Sequence, residues 1–460
     1  MPRTRKSVTA IIASSVACFM LWNFLSSTTS SLEPAHLQDF PDKTVSYSND
    51  DNFDEFYKPT IIPRGAHAYG FTIFDNLYLR NGTLFVVNSD LSIFPQRETI
   101  LSAPLELGLP EDVLMPTDEH MRFVDLEEGK DLLGNDFIHI EDTTVIVYDN
   151  PTFMRHYYHW WGEIMLGFWR VYQCARDSTP LPFPKRFLLP FVDGGNQWRD
   201  APGINGPLMR AVQPGISIET SDQWHDLRDL DRTVVFSRVA VINRIAAHRY
   251  PLSHTYNKMI TSALELQPDD AFWEPLQTSL LQNFLGTRFP HRTLNKDTKP
   301  VVTYISRQGG RRSLAAEDHE ELVRTLVDLQ TEGLCHLEIP KMQELSLKQQ
   351  IELASQTTIM IGVHGNGLTH QLWMPSTSYS TVIEIFIPDG YLFDYEFLSR
   401  NVGHQHYAVW NDTYITTPPT KQNAPPDFQG QTIPVHGPTI AEIIRHRLAG
   451  YSLEHKSIST

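Results

Sequence analysis

A mixed α/β chain of two halves facing a cleft, behind an N-terminal membrane anchor and stem, follows from three features of the 460-residue sequence. Short β-branched apolar runs alternate with longer helical stretches, the pattern of parallel sheets covered by helices. A polar stretch from His291 to Lys299 separates one such series from a second, more regular one. The extreme N-terminus carries an uncharged stretch, the 18 residues Val8 to Leu25, directly after a basic flank.

That run stands at the lower edge of the roughly 17 to 25 residues a helix needs to cross hydrocarbon. Arg3, Arg5 and Lys6 precede it, which favours a cytosolic N-terminus and a lumenal remainder. Residues 1–25 are therefore expected to be a cytosolic tail and signal anchor of a single-pass type II protein of the Golgi or endoplasmic reticulum membrane. A cleaved signal peptide is the competing reading, because Ser14, Ser15 and Asn23 interrupt the run and small residues follow it. Residues 26–59, with seven acidic side chains against Lys43 and Lys58, read as a solvated acidic stem.

An N-terminal α/β domain is expected over 60–292. Its elements are a strand at Thr143 to Tyr148, a buried helix at Tyr158 to Arg176, strands at Arg186 to Phe191 and Thr233 to Phe236, and helices at Pro251 to Leu264 and Trp273 to Phe284. A C-terminal α/β domain is expected over 293–450, followed by a tail, 451–460. Its strands are Val301 to Ile305, Cys335 to Leu337, Thr358 to Val363 and Thr381 to Phe386. Helices are expected at Glu317 to Leu329, at Ser346 to Ser355 and from Asn366. In such open sheets ligands sit beyond the carboxyl ends of the strands, so chemistry is sought at strand-to-helix loops.

The formal charge of −16 disfavours nucleic acid as a partner but leaves room for one small phosphorylated ligand in a local basic pocket. Three cysteines are too few for a disulfide scaffold, although Cys174 and Cys335 could pair. Asn81-Gly82-Thr83 and Asn411-Asp412-Thr413 are glycosylation sequons, which agree with a lumenal setting.

Four loops and elements carry candidate chemistry. Ser306-Arg307-Gln308-Gly309-Gly310-Arg311-Arg312 follows a strand and combines guanidinium forks with glycine, which suits phosphate; a solvated turn paired to Glu317, Asp318 and Glu320 is the plainer alternative. His364-Gly365-Asn366-Gly367 follows another strand and opens a helix, whose free N–H groups would favour an anion, with Asn366 as a simple N-cap the alternative. Its glycines fall in the order GxxGxG, not the dinucleotide GxGxxG. His159 and Glu163 lie one helical turn apart on a buried helix, suited to a general base or to a structural hydrogen bond. Glu384, in a strand buried on both faces, needs donors such as sugar hydroxyls or the N–H groups of the His364 loop. Asp229-Leu230-Asp231 spells a metal-binding DxD but does not close an apolar strand, and His404-Gln405-His406 lacks a third ligand. No metal site or cofactor is expected.

Taken together, these motifs resemble glycosyltransferase family 61, over roughly Thr143 to Trp410. Tyr157-Tyr158-His159-Trp160 with Glu163 is similar to the family's N-terminal His-x-x-x-acid helix. Tyr304-Ile305-Ser306-Arg307 with Arg311 and Arg312 is similar to its arginine block, and Ile361 to Thr369 to its signature loop. The chain departs from the usual pattern at His156, Ala316-Glu317 and Asn366. The resemblance implies a GT-B-like architecture of two Rossmann-like domains, acceptor-side then nucleotide-sugar-binding. It also implies inversion at the anomeric carbon and little need for a bound metal.

The expected function is transfer of xylose or N-acetylglucosamine from a nucleoside diphosphate donor, a UDP-sugar first, to a hydroxyl of a glycan or glycoprotein in the secretory lumen. Glu163, assisted by His159, would take the acceptor proton. Ser306, Arg307, Arg311, Arg312, His364, Gly365, Asn366, Gly367 and Glu384 would hold the nucleotide sugar. A non-catalytic lumenal glycan- or nucleotide-sugar-binding protein is the alternative. An esterase fits less well, because the His364 loop imitates an oxyanion loop but no GxSxG elbow follows.

Overall fold

The computed structural model describes residues 57–175, 181–286, 299–430 and 432–456. The expected anchor, nearly all of the stem, and the boundary at 292/293 lie outside the described residues. Among the described residues no helix is long and apolar enough to cross a membrane. The folded body already includes the last residues assigned to the stem: Tyr57 is 4% exposed and packs edge-on against Phe137 at 4.9 Å.

Strands β1 (His67–Ala68), β2 (Phe71–Arg80), β3 (Thr83–Val87), β4 (Met121–Val124), β5 (Phe137–Ile140), β6 (Thr144–Val147), β7 (Arg186–Leu188), β8 (Ser217–Glu219) and β9 (Thr233–Ile242) build one mixed sheet. Its main path runs β4-β3-β2-β9-β6-β7-β8, with β1 on β2 and β5 on β9. The β6-β7-β8 edge is parallel, as expected, whereas β2 runs antiparallel to β3 and β9. Asn81 and Gly82 join β2 to β3 with φ of 49° and 86°, the positive pair that a tight two-residue hairpin requires. The second sequon also lies in a two-residue link, here with one positive φ: Asn411, φ 51°, is exposed between paired Trp410 and Thr413.

The helix α1 begins as a π-helix, His159–Met165, and continues as an α-helix, Leu166–Cys174. Trp160, Trp161, Ile164, Leu166, Phe168 and Trp169 are at most 1% exposed, so the apolar circumference is buried on every side. Glycines set how closely neighbours approach it: a Cβ on Gly167 would lie 2.3 Å from the Phe71 ring, and one on Gly162 2.8 Å from Leu398. The helices α2 (Asn205–Val212) and α3 (Glu274–Leu285) pack together beside this sheet. The stretch Pro251 to Leu264, expected as one helix, is instead two short turns, Pro251–Tyr256 and Met259–Ala263, broken at Asn257 where φ is 52°.

The second sheet comprises β10 (Val301–Ile305), β11 (His336–Glu338), β12 (Ile359–Val363), β13 (Thr381–Ile385), β14 (Gln405–Trp410) and β15 (Thr413–Ile415), in the order β11-β10-β12-β13-β14-β15. All neighbours are parallel except β15. Helices α4 (Ala316–Thr331) and α5 (Leu347–Gln356) connect the first three strands; α6 (Asp394–Asn401) precedes β14, and α7 (Gly437–Lys456) closes the chain against α4. A capping box of Ser346 and Gln349 starts α5. Strand order reverses between β10 and β12, the position where open α/β sheets bind ligands.

One hydrophobic cluster runs through both sheets' packing layers. Trp161 and Trp373 meet at 5.1 Å, and Trp373 Nε1 donates to Tyr157 Oη at 2.8 Å. Cys174 and Cys335 are not joined by a disulfide.

Candidate active site

At the switch point the chain leaves β10 into Ser306–Arg312 and leaves β12 into His364–Gly367. Ile305 pairs with Gly362 in register, so the two loops emerge side by side. Together with Met342 and Gln343 beyond β11 they line a pocket of about 460 Å³. Ser306, Arg307, Gly365, Asn366 and Gly367 all face it. Arg307 Nη1 and Arg312 Nη1 both donate to the His364 carbonyl, at 3.4 and 2.9 Å. A Cβ on Gly365 would lie 1.8 Å from Arg307 Nη1, so glycine is what admits the guanidinium. Burial, then the neighbouring Arg312 charge, pulls Arg307 down to about 10.

Three expectations are corrected here. Arg311 is exposed, and neither it nor Arg312 is among the residues that line the pocket. The cap of the turn after β12 is Gly365, and Asn366–Trp373 is a 3-10 helix, with Asn366 accepting from Thr369 at 3.3 Å. Glu384 does not reach a ligand. It is 0% exposed, and its two oxygens are taken by His364 Nδ1 and by His406 Nε2, the latter at 2.8 Å. Burial, reinforced by Asp394 and Glu396, drives its carboxyl well above the usual range, and burial pushes both imidazoles down to about 3. With all three groups neutral, the carboxyl O–H donates to one ring and the other ring's N–H donates to the second oxygen. The His364 ring packs among Phe386, Tyr395 and Phe428, outside the pocket wall, while its backbone carbonyl holds the arginines.

On the facing side, Glu163 is also fully buried. Its Oε2 accepts from Arg244 Nη1 at 2.8 Å and from His159 Nδ1 at 2.5 Å; its Oε1 accepts from the Met259 N–H at 3.0 Å. Burial alone would raise this carboxyl, but Arg244 and then His159 hold it well below the usual range. A fully buried carboxylate that already accepts three hydrogen bonds and is held ionised has little proton affinity, which argues against its expected role as the base itself. His159 is different. Its side chain remains 23% exposed, and burial outweighs Glu163 to leave the imidazole below its ordinary value, hence neutral.

Between these two clusters lie groups that no local motif announces. Lys258, immediately before Met259, is within 3.3 Å of Asp394 Oδ2 at the start of α6. Burial would raise the Asp394 carboxyl, but Lys258, then His364 and His159, bring it below its usual value. Asp394 is thus close to residues of both halves. Arg244 lies 81 positions from Glu163, and only the folding of β9 back beside α1 joins them. Asp229 and Asp231 sit on the surface, paired with Arg228 and Arg80.

The family model Glycosyltransferase 61 matches residues 157–383. Over that span, just under half of the chain, the sequence is similar to glycosyltransferase family 61. The matched span contains the His159 helix, the arginine loop and the His364 loop, and so draws on both sheets. The chain is also similar to the EGF domain-specific O-linked N-acetylglucosamine transferase of Mus musculus, 32% identical over 130 residues. That stretch covers 28% of this chain and 23% of the relative.

Proposed function

We propose that the chain is an inverting glycosyltransferase of GT-B architecture that moves a sugar, N-acetylglucosamine or xylose, from a UDP donor to a hydroxyl of a glycan or glycoprotein in the secretory lumen. The observation that supports it best is the pairing of Arg307 and Arg312 on the His364 carbonyl at the switch point, opposite an ionised Glu163 that orients His159. Two guanidiniums fixed before substrate arrives offer a diphosphate leaving group its counter-charge at no reorganisation cost.

His159 would act as general base. Its Nδ1–H is committed to Glu163, so the other ring nitrogen receives the acceptor proton, and the buried carboxylate stabilises the imidazolium that forms. The membrane anchor at 1–25 and the metal-free leaving-group chemistry belong to the same proposal. In its test, the purified protein is screened for thermal protection by UDP-N-acetylglucosamine, UDP-xylose and UDP, and its turnover is measured with and without chelator. Protection by a UDP-sugar that vanishes in Arg307→Ala is the expected result. Turnover abolished by chelator and restored by Mn²⁺ would remove the metal-free part.

A further inference from the structure

Around Asp394 several polar atoms are buried without a hydrogen-bond partner. They are Tyr158 Oη, Arg312 Nε and Nη2 of Arg244, whereas Asp394 Oδ2 and Arg244 Nε, also without a hydrogen bond, have an ion-pair partner in Lys258 at 3.3 Å and Asp149 at 3.9 Å, respectively. Tyr158 is 1% exposed and lies within reach of the charges of Asp394, Glu163 and Arg244. Arg244 is 2% exposed, with its guanidinium 4.3 Å from the Phe153 ring centroid. The Lys258 side chain is 8% exposed. Buried polar groups are almost always satisfied, so orphans gathered between two halves of a site mark where a polar ligand completes them.

The chemistry of the orphans narrows the ligand. Guanidinium N–H groups alone would suit an anion, but Asp394 is an ionised acceptor and would repel one. A phenol and a carboxylate among cations call for a ligand that both donates and accepts, which is what adjacent hydroxyls do. Position narrows it further. Asp394 senses both His159, on the acceptor side, and His364, whose carbonyl holds the diphosphate cradle. In an inverting displacement the transferred sugar ring must lie between base and leaving group.

We infer that Asp394, anchored by Lys258, is a specificity residue that accepts hydrogen bonds from hydroxyls of the transferred sugar. The inference rests on the donor reading of the pocket, and it assigns a separate part of the cleft from the phosphate cradle. Lys258 has two tasks in one short turn: its ammonium fixes Asp394, and the next residue, Met259, caps Glu163 through its N–H. The sugar subsite and the His159–Glu163 pair are therefore tied to the same backbone.

The test compares UDP with UDP-N-acetylglucosamine and UDP-xylose, measuring dissociation constants for the wild-type protein, Asp394→Asn and Lys258→Met. Loss of a hydrogen bond to a charged group should weaken the preferred UDP-sugar about 10- to 100-fold in Asp394→Asn while UDP affinity stays within about twofold. Lys258→Met should move the same way, which keeps the claim testable if one variant fails to fold by circular dichroism. Equal loss for UDP and UDP-sugar, or no loss for either, overturns the assignment while leaving the donor site intact. Wild-type protein that binds none of the three ligands removes the donor reading, and the assignment with it.

Discussion

Proton transfer at His159 has a consequence for pH that separates its role from that of Glu163. The basic form is the neutral imidazole, so kcat/KM is level above its pKa and falls about tenfold per pH unit below it. Burial, which outweighs the raising influence of Glu163, places that acid limb below the ordinary histidine value of 6.5. His159→Gln should lower kcat by about 10² to 10⁴ with donor binding kept, as general-base removal does. In Glu163→Gln the raising charge is gone and Arg244 remains, so the acid limb should move further down. The variant should also lose stability, by about 3 to 5 kcal/mol, because a buried cation loses its partner. A pH–rate profile unchanged by Glu163→Gln would deny the carboxylate its influence on His159.

The two loops after β10 and β12 act as one device, and glycine at 365 is its hinge of contact. Its φ of 161° is ordinary extended backbone, so the need for glycine is spatial. Gly365→Ala should displace the tip of Arg307, a flexible side chain, and weaken UDP binding about tenfold with little change in melting temperature. Isothermal titration against UDP reads it; unchanged affinity would mean that Arg307 does not grip the phosphates. These loops were legible in the sequence because β10, β12 and β13 are buried on both faces and read as unbroken apolar runs. The hairpin β2–β3 was less so, since Asn81-Gly82 spells a sequon and a turn at once. Lys258, Arg244 and Asp394 carried no local signal, because their chemistry arises only from contacts across the fold. Glu384 read as a ligand-facing acid for a related reason: its imidazole partner His406 lies on the adjacent strand, 22 residues away.

At the scale of the whole molecule, both sheets share one hydrophobic cluster, and the cross-links are specific. Trp273 Nε1 donates to the Leu372 carbonyl at 2.9 Å, and Arg170 Nη1 to Asn401 Oδ1 at 3.1 Å. Trp373 is 0% exposed and touches the first half through Trp161 and Tyr157. Trp373→Ala should cost about 3 to 5 kcal/mol and should lower a single calorimetric transition. Two separate transitions would show that the halves unfold independently. The same burial makes the molecule acid-sensitive. His248, His364, His370, His404 and His406 are all buried, and burial holds their imidazoles down to about 3 or 4. An unfolded chain takes up those protons near 6.5. Below that value the unfolded state binds more protons than the fold accepts, so stability falls as pH falls from about 6.5 towards 4. Glu384 has the opposite sign: its raised carboxyl favours the fold at low pH and loses that contribution as pH rises above about 4.3. Burial raises Asp149, Asp200 and Glu396 as well, so four carboxyls stand against these five imidazoles, but His67 and His156, held down to about 4 and 3, add to the histidine side and leave the net slope with it. Melting temperature should therefore drop steadily from pH 7 to pH 4.5, and a flat profile over that interval would mean that these rings are charged inside the fold.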